Sequence, residues 1–342
     1  MIRLSARIAS VRRSSVVALV LFSMPFIEAA AQQQVPAAPP SPKLIQPVAP
    51  APAAPVPAAT APVFPKPDPA NFTAAAPTKE TVNAFLQASW GFDDSRVWQV
   101  QAILKTPVEG VSKVIIYEGD KSGKQKPAAI GFFVLPDGKH IIAGDEIISF
   151  GEHPYADNRV LLEQKADGPY RGSAAKDLEI VEFADFQCPH CKEAQANMDK
   201  LMVDFPKARF VFENFPLVQH PEAAKAADYG VCVAKLGGST AFYQFASAVF
   251  DGQDGLASAD GAALTLNSAV TKASLDPAKV ATCATTPETA SAVEASKKLA
   301  QDLNVTQTPT LLVNGRPVSA SAPYDTLKQI IEYQEKLDGI TQ

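Results

Sequence analysis

The chain has 342 residues, a length that predicts two domains with additional segments. Its formal net charge of −5 at pH 7, without a basic stripe, argues against a nucleic-acid partner. With only four cysteines, it is not a disulfide-dense mini-scaffold.

The first segment, residues 1–31, is typical of a secretory signal. Four arginines precede an apolar run over residues 16–27, and three alanines follow it, so we expect cleavage after Ala31. The alternative is an uncleaved membrane anchor, for which the apolar run is short. Export would place the thiols of the chain in an oxidising compartment.

A Pro/Ala-rich stretch over residues 32–78 predicts an extended, disordered tether, because it has too few large apolar residues for a core. A small α+β domain is predicted over residues 79–151. Its helix is expected over 79–89 and its strands over 98–104, 111–118, 128–135 and 140–148. Pro136-Asp137-Gly138 predicts a turn before the last strand. A domain of about 70 residues has a marginal core, so docking on another subunit would stabilise it.

A linker helix over 154–164 is predicted within residues 152–173, and Gly168-Pro169 ends it. The second domain is expected over residues 174–342. Its predicted strands cover 178–186, 208–215 and 310–313, with a hairpin turn at Asn314-Gly315. Helices after the first two strands indicate a βαβ unit, and the alanine-rich stretch 222–303 indicates a helical insertion. A last helix is predicted over 324–336. The fold class is therefore α/β with a helical insertion, preceded by a small α+β domain.

The chain is organised around the stretch EFADFQCPHCKEAQ, residues 182–195. Here a strand breaks into a helix at Cys188, which places that sulfur over unpaired backbone N–H groups that stabilise a thiolate. Pro189 suits the first helical turn, where its missing N–H costs nothing. Cys191 lies about one helical turn away and can close a small, reducible disulfide. The pattern predicts a redox site.

Other uses of this cysteine pair fit the sequence less well. A zinc site needs four ligands, and the sequence has no second CxxC or HxxxH pattern. Haem attachment needs His directly after the second Cys, where Lys192 stands. An inert structural disulfide is the remaining alternative. We expect no metal and no cofactor.

The segments around Glu182, Cys188-Pro189-His190-Cys191 and Thr308-Pro309 resemble the thioredoxin-fold disulfide oxidoreductases of the periplasmic Dsb group. The Pro-His dipeptide, the helical insertion and the run PLVQHPEA are similar to DsbA-type proteins, over residues 178–336. Separately, KTPVEGVSKV (105–114) with LPDGKHIIAGDEI (135–147) resembles the dimerisation domain of the DsbC and DsbG isomerases. The resemblance implies a thioredoxin-like catalytic domain and a periplasmic location.

The resemblance also implies roles for the site residues. Cys188 would be the attacking sulfur, more exposed at the helix start, and Cys191 the resolving thiol. Glu182 would be a buried acid that exchanges protons with Cys191; the alternative is a surface carboxylate, with Asp185 as a rival.

The loop of Thr308 and Pro309 would lie against the CxxC and contact the substrate, with a cis bond before the proline. Gln307 stands where Gly is frequent in these families, which bears on substrate choice. His190 is expected beside the Cys188 sulfur, where its imidazole would stabilise the thiolate and make the disulfide more oxidising. His220 precedes Pro221 and a helix, which favours a capping role.

Cys232 and Cys283 both fall in the helical insertion. In an oxidising compartment we expect them to form a structural disulfide that stabilises the fold by roughly 3–4 kcal/mol. The alternative is two inert, buried thiols.

Three functions remain open from the sequence. The first is a dithiol oxidase that donates its disulfide to secreted or periplasmic proteins with cysteines and is reoxidised by a membrane redox partner. The second is a homodimeric isomerase or reductase. The third is a non-catalytic thioredoxin-fold binding module, which the intact CPHC motif disfavours.

Overall fold

The computed structural model describes residues 64–124, 126–144 and 146–340. The predicted signal over 1–31 and the predicted tether up to residue 63 lie outside these residues. Among the described residues, no helix is long and apolar enough to cross a lipid bilayer.

The N-terminal domain consists of one helix on a fully antiparallel sheet. The elements are α1 (Lys79–Trp90), β1 (Arg96–Lys105), β2 (Ser112–Asp120), β3 (Ala128–Val134), β4 (His140–Ala143) and β5 (Glu146–Ser149), with the strands in sequence order. Thr78 begins α1 by accepting the Thr81 N–H with its side-chain oxygen. The rings of Phe85, Phe132 and Phe150 meet in the core between helix and sheet.

Two expectations for this region are wrong. The single strand predicted over 140–148 is a hairpin of β4 and β5, because Gly144 takes a φ of +67° and lets the chain reverse. Residues 64–78, predicted as the end of a free tether, belong to the domain. Phe72 pairs with Ile103 and joins the core, and the Ser112 hydroxyl donates to the carbonyl of Ala76.

The second domain has a mixed sheet with helices on both faces. Its elements before the insertion are α2 (Ala156–Lys165), β6 (Tyr170–Gly172), β7 (Glu179–Ala184), α3 (Pro189–Asp204) and β8 (Arg209–Asn214). Its elements after the insertion are β9 (Thr310–Val313), β10 (Arg316–Ser319) and α8 (Tyr324–Leu337). The strand order is β10-β9-β7-β8-β6, and β7 with β8 is the parallel pair. Every residue of β7 and β8 is buried, as expected for strands covered on both faces.

The insertion between β8 and β9 is helical, as predicted. It contains α4 (Ala223–Asp251), α5 (Ala259–Lys272), α6 (Pro277–Ala284) and α7 (Pro287–Asp302), and α4 is broken at Gly238, which has a φ of +75°. Phe242 and Phe245 of α4 meet Phe186, in the turn after β7, and Phe212 of β8 in one aromatic cluster. Because Phe186 lies two residues before Cys188, this cluster joins the insertion to the redox motif.

Arg316 joins the two domains. Its side chain is buried, its Nη atoms donate to the carbonyls of Ala88 and Ser89 at the end of α1, and its Nε donates to Gln334. These carbonyls belong to the last turn of α1, where helical carbonyls lack intrahelical donors and a cation is favourable. The N-terminal domain is therefore attached to the β10 and α8 side of the second domain.

Candidate active site

The redox motif lies where β7 ends and α3 begins. The Cys188 N–H donates to the carbonyl of Asp185 (3.1 Å), which closes a tight turn between strand and helix. The Cys188 carbonyl accepts the N–H of Cys191 (3.1 Å), and Pro189 occupies the first turn of α3. Cys188 thus stands at the N-cap position of a 16-residue helix, over its unpaired N–H groups.

These surroundings favour the ionised form of Cys188. Its pKa is lowered to about 5, chiefly by hydrogen bonding with the thiol of Cys191, with smaller contributions from Thr308 and from the N–H groups of Cys191 and His190, while burial opposes the shift. In the described structure both cysteines are free thiols. These surroundings therefore favour the thiolate of Cys188 at neutral pH.

Cys191 behaves in the opposite way. It has no exposed surface, and burial raises the pKa of its thiol, with further contributions from the neighbouring Cys188 and from the charge of Glu182. The N–H of Asp185 donates to its sulfur at 3.4 Å. The two sulfurs of one short motif therefore have very different acidities.

Cys188 is less accessible than the sequence suggests, since only 4% of its surface is exposed. The loop before β9 lies over it, and the Cys188 thiol donates to the carbonyl of Thr308 at 3.6 Å. The Thr308–Pro309 peptide bond is cis. The expected contact of this loop with the CxxC motif is thus present, and it covers the sulfur that the sequence placed in the open.

The imidazole of His190 does not support the thiolate in the way the sequence suggested. The side chain is 66% exposed, and its Nδ1 lies 2.9 Å from the carboxylate of Glu193, one turn along α3. Hydrogen bonding to Glu193 is the largest cause of a raised His190 pKa, and the charge of Cys188 is the smallest one. The imidazole of His190 is hydrogen-bonded to the Glu193 carboxylate. The Cys188 thiolate is therefore stabilised by Cys191, by Thr308 and by the N–H groups at the helix start.

Glu182 lies inside the protein on β7, which excludes the surface-carboxylate alternative. Burial raises its pKa to about 7, against the opposing effects of Arg171 and Gln195. The Gln195 amide donates both to Glu182 (3.0 Å) and to the carbonyl of Cys191 (3.1 Å). The Gln195 side chain therefore links a buried acid with a pKa of about 7 to the backbone of the resolving cysteine.

Asp185 is also buried, with a different set of contacts. One carboxylate oxygen accepts the N–H of Gln187 (2.7 Å), and the other accepts the N–H of Leu217 (2.8 Å) and lies 2.7 Å from His220 Nδ1. The expected helix-capping role of His220 is wrong, because Glu222 is the N-cap residue of α4. Sequence reasoning missed this pair because 35 residues separate its members.

Gln253 is another site residue that the sequence did not indicate. Its side-chain amide, from the insertion, donates to the carbonyls of Phe186 (2.8 Å) and Cys188 (2.9 Å). No local pattern marks this glutamine, since its role follows only from the position of the insertion over the motif.

The other two cysteines lie within the insertion. Cys232 of α4 and Cys283 of α6 form a disulfide, 51 residues apart in sequence and 5.8 Å between Cα atoms. Thr289 of α7 contacts both sulfurs with its hydroxyl (3.2 and 3.7 Å). The disulfide therefore joins helices of the insertion.

Residues 164–333 match the family model described as thioredoxin. The matched segment includes the CPHC motif, the insertion and the loop of Thr308 and Pro309. The thioredoxin-like fold expected from the sequence is confirmed.

Individual relatives cover parts of the chain. The chain is 26% identical over 182 residues to the disulfide bond formation protein D of Bacillus subtilis, covering 49% of this chain and 77% of that protein. It is 35% identical over 91 residues to the Na⁺/H⁺ antiporter NhaA 3 of Salinispora tropica, covering 26% of this chain. The chain spans only 14% of that antiporter and 9% of a second one, from Salinispora arenicola. Among solved structures, a thioredoxin-like oxidoreductase from Silicibacter pomeroyi is 22% identical, with a TM-score of 0.45, covering 52% of this chain and 98% of that one.

Proposed function

We propose that the protein is a thiol–disulfide oxidoreductase of the Dsb group that acts as a dithiol oxidase, because residues 164–333 match the thioredoxin family model and a disulfide bond formation protein is among the relatives. Its substrates are cysteine-containing proteins exported to the periplasm. The observation that supports oxidation of substrates is the difference in acidity between the two cysteines, since the Cys188 pKa is lowered to about 5 and the Cys191 pKa is raised. A stabilised thiolate favours the reduced form, which makes the disulfide form an oxidant.

The reaction consists of two exchanges. A substrate thiolate attacks the Cys188 sulfur of the Cys188–Cys191 disulfide, a new S–S bond forms, and Cys191 leaves with the electron pair of the broken bond. A second substrate thiolate then attacks the substrate sulfur of this mixed disulfide and expels Cys188. The substrate gains a disulfide and loses two electrons, which the protein holds as a dithiol. Because its pKa is about 5, Cys188 is a good leaving group.

Glu182 serves the first exchange as a proton donor. The departing Cys191 is buried and its thiol pKa is raised, so its sulfur needs a proton as soon as it is released. Glu182, with a pKa of about 7, supplies this proton from the sheet side, and Gln195 holds its carboxyl group. The reverse transfer would accompany reoxidation by a membrane redox partner.

The alternative is a homodimeric isomerase or reductase. It is favoured by apolar residues on the N-terminal domain, because Phe133, Ile147 and Ile148 are 40%, 56% and 37% exposed. Ile147 and Ile148 lie on β5, which is an edge strand of its sheet and a ready site for pairing with another chain. Light scattering at micromolar concentration tests this alternative, and a monomer mass would contradict it.

The deciding experiment is the equilibrium of the Cys188–Cys191 pair with glutathione, followed by oxidation of a reduced two-cysteine peptide. We expect a potential well above that of a structural disulfide, and stoichiometric peptide oxidation by the disulfide form. The matched control is Cys188→Ala, which should oxidise no peptide. A potential near −270 mV, the order found for reducing thioredoxin, would contradict the oxidase proposal and favour reduction. Failure to reduce insulin or oxidise peptide would favour the non-catalytic module.

A further inference from the structure

Asp185 touches both cysteines of the motif through its backbone. Its N–H donates to the Cys191 sulfur at 3.4 Å, and its carbonyl accepts the N–H of Cys188 at 3.1 Å. A shift of this one residue would therefore move a donor away from one thiol and alter the helix start under the other.

The side chain of Asp185 is what holds this backbone in place. It is completely buried, and its two oxygens accept three hydrogen bonds, from the N–H groups of Gln187 and Leu217 and from the ring of His220. A buried carboxylate is costly unless each lone pair finds a donor. Two of these donors are backbone groups, and His220 is the one side chain among the described partners.

The segment that carries His220 is also joined to the motif by a second contact. The N–H of Glu222 donates to the Gln187 side chain at 2.9 Å, and the same side chain donates to the carbonyl of Leu256. The loop after β8 is thus bound to the turn before Cys188 at two points. Asp185 contributes one of them and Gln187 the other.

We propose that His220 and Asp185 are positioning residues that set the redox equilibrium of the Cys188–Cys191 pair. The imidazole donates to the buried carboxylate and disperses its negative charge beside the motif. Without the His220 donor, the negative charge of Asp185 would oppose a thiolate at Cys188. The backbone N–H of Asp185 would also lose its fixed direction toward the Cys191 sulfur. The inference deepens the proposed thiol–disulfide exchange and rests on it.

The chain contains a matched control for this pair. In the N-terminal domain, His140 Nδ1 lies 2.6 Å from the Asp137 carboxylate, so the two pairs have the same chemistry and nearly the same distance. The control pair is exposed, at 41% and 45%, and lies at the turn before β4, outside the redox domain. Comparing the two separates a specific effect on the motif from the loss of any His–Asp contact.

The test compares the full chain with His220→Ala, His220→Asn and His140→Ala. For each protein the glutathione equilibrium, the Cys188 pKa from thiolate absorbance, and the unfolding free energy are measured. We expect His220→Ala to raise the Cys188 pKa and to lower the equilibrium constant for oxidation of glutathione about three- to tenfold, or about 15 to 30 mV. The amide of His220→Asn can donate from a position close to Nδ1, so it should restore most of the parent value. His140→Ala should match the parent.

Each other outcome would overturn the inference. A parent-like equilibrium in His220→Ala, even with reduced stability, would mean a structural role only. An equal shift in His220→Asn would mean that the donor to Asp185 is irrelevant, and an equal shift in His140→Ala would remove specificity. If His220→Ala does not fold, His220→Asn becomes the test, and a shift of its glutathione equilibrium by threefold or more would contradict the inference. The glutathione equilibrium needs no protein substrate, so inactivity of the parent toward peptides would count against the proposed function alone.

Discussion

The two cysteine pairs of this protein lie in one domain and have opposite chemistry. Cys188 and Cys191 are free thiols at a helix start, one with a pKa lowered to about 5 and the other with a raised pKa. Cys232 and Cys283 form a disulfide within the insertion and contact only a neutral hydroxyl among the side chains described above. The first pair has donors directed at its sulfurs and a buried acid nearby.

The difference teaches that spacing alone does not decide what a cysteine pair does. A short motif at a strand-to-helix turn places the sulfur over helix N–H groups, which favour a charged and reactive state. Cysteines far apart in sequence, joined between packed helices, mainly restrict the unfolded chain.

The largest effect is expected from Cys188→Ser. Peptide oxidation should fall by more than about a hundredfold, because the hydroxyl cannot form or exchange a disulfide. The double variant Cys232→Ser/Cys283→Ser should retain peptide oxidation at temperatures where it is folded. Peptide oxidation by Cys188→Ser above about a hundredth of the parent rate, or loss of peptide oxidation in the folded double variant, would break the division between the pairs.

The second effect concerns stability. The double variant Cys232→Ser/Cys283→Ser should lose about 4 kcal/mol of unfolding free energy, as the chain-entropy model predicts for a closed loop of this length. Denaturant titration of the oxidised parent and the variant measures the difference. A loss below about 1 kcal/mol would show that the insertion holds together without the disulfide.

Two buried carboxyl groups on neighbouring strands give a third, smaller effect. Glu182 and Glu213 both have pKa values raised to about 7 by burial. A raised carboxyl pKa lowers stability as pH rises from about 4.5 through 7, since the folded state holds its proton more tightly than the unfolded state. Glu182→Gln and Glu213→Gln should each reduce this loss, by about 1–3 kcal/mol between pH 5 and pH 8.

Only one of these two variants should alter the exchange reaction. Glu213 contacts the N–H of Gly168 and the hydroxyl of Ser296, on the side of α7, and plays no part in the proposed mechanism. Glu182→Gln should slow release of Cys191 from the disulfide several-fold, as measured by stopped-flow reduction, while Glu213→Gln matches the parent. Equal rates in both variants would remove the proton-donor role of Glu182.

A fourth prediction follows from the pKa of Cys188. Its depressed value means that the thiolate stabilises the reduced folded state above the ordinary thiol pKa, and that this contribution is lost as pH falls through about 5. Alkylation of Cys188 should therefore titrate near pH 5. The potential should change by about 30 mV per pH unit at neutral pH, and by about twice that below pH 5, where a second proton is taken up. A titration near pH 8 to 9 would contradict the thiolate assignment.

The smallest effect is expected from His190→Ser. Because the ring is turned to Glu193, the glutathione equilibrium should change by no more than about twofold, and the Cys188 pKa by no more than about 0.3. Glu193→Gln is the informative partner, since it would release the ring toward the sulfur and lower the Cys188 pKa. A large shift in His190→Ser alone would restore the role that the sequence assigned to the imidazole.

Local patterns were enough to predict much of the site. The strand, the turn at Cys188 and the helix after it follow from a continuous stretch of residues, and β9 was predicted at its observed bounds of Thr310–Val313. The cis-proline loop came from the resemblance. The contact between His190 and Glu193 was predictable, since Glu193 stands at i+3 on the same helix, where an ion pair is favourable.

The remaining features depend on contacts between distant segments. The His220–Asp185 pair and the Gln253 contacts join residues that are tens of positions apart, and no periodicity marks them. The strand β6 has only three residues, too few to show an alternating pattern. The anchoring of residues 64–78 also escaped prediction, because their composition indicates an open chain while their contacts are made by a few residues such as Phe72.

The contact of Arg316 with the end of α1 has a consequence for stability. This guanidinium sits against the Tyr155 ring at 4.4 Å and binds carbonyls more than two hundred residues earlier in the chain. The guanidinium thereby links the last turn of α1 to β10 and α8 through a contact that is buried from solvent. Removing this cation would leave two α1 carbonyls without their donor inside the protein, so the cost would fall on the first domain as well as on the second.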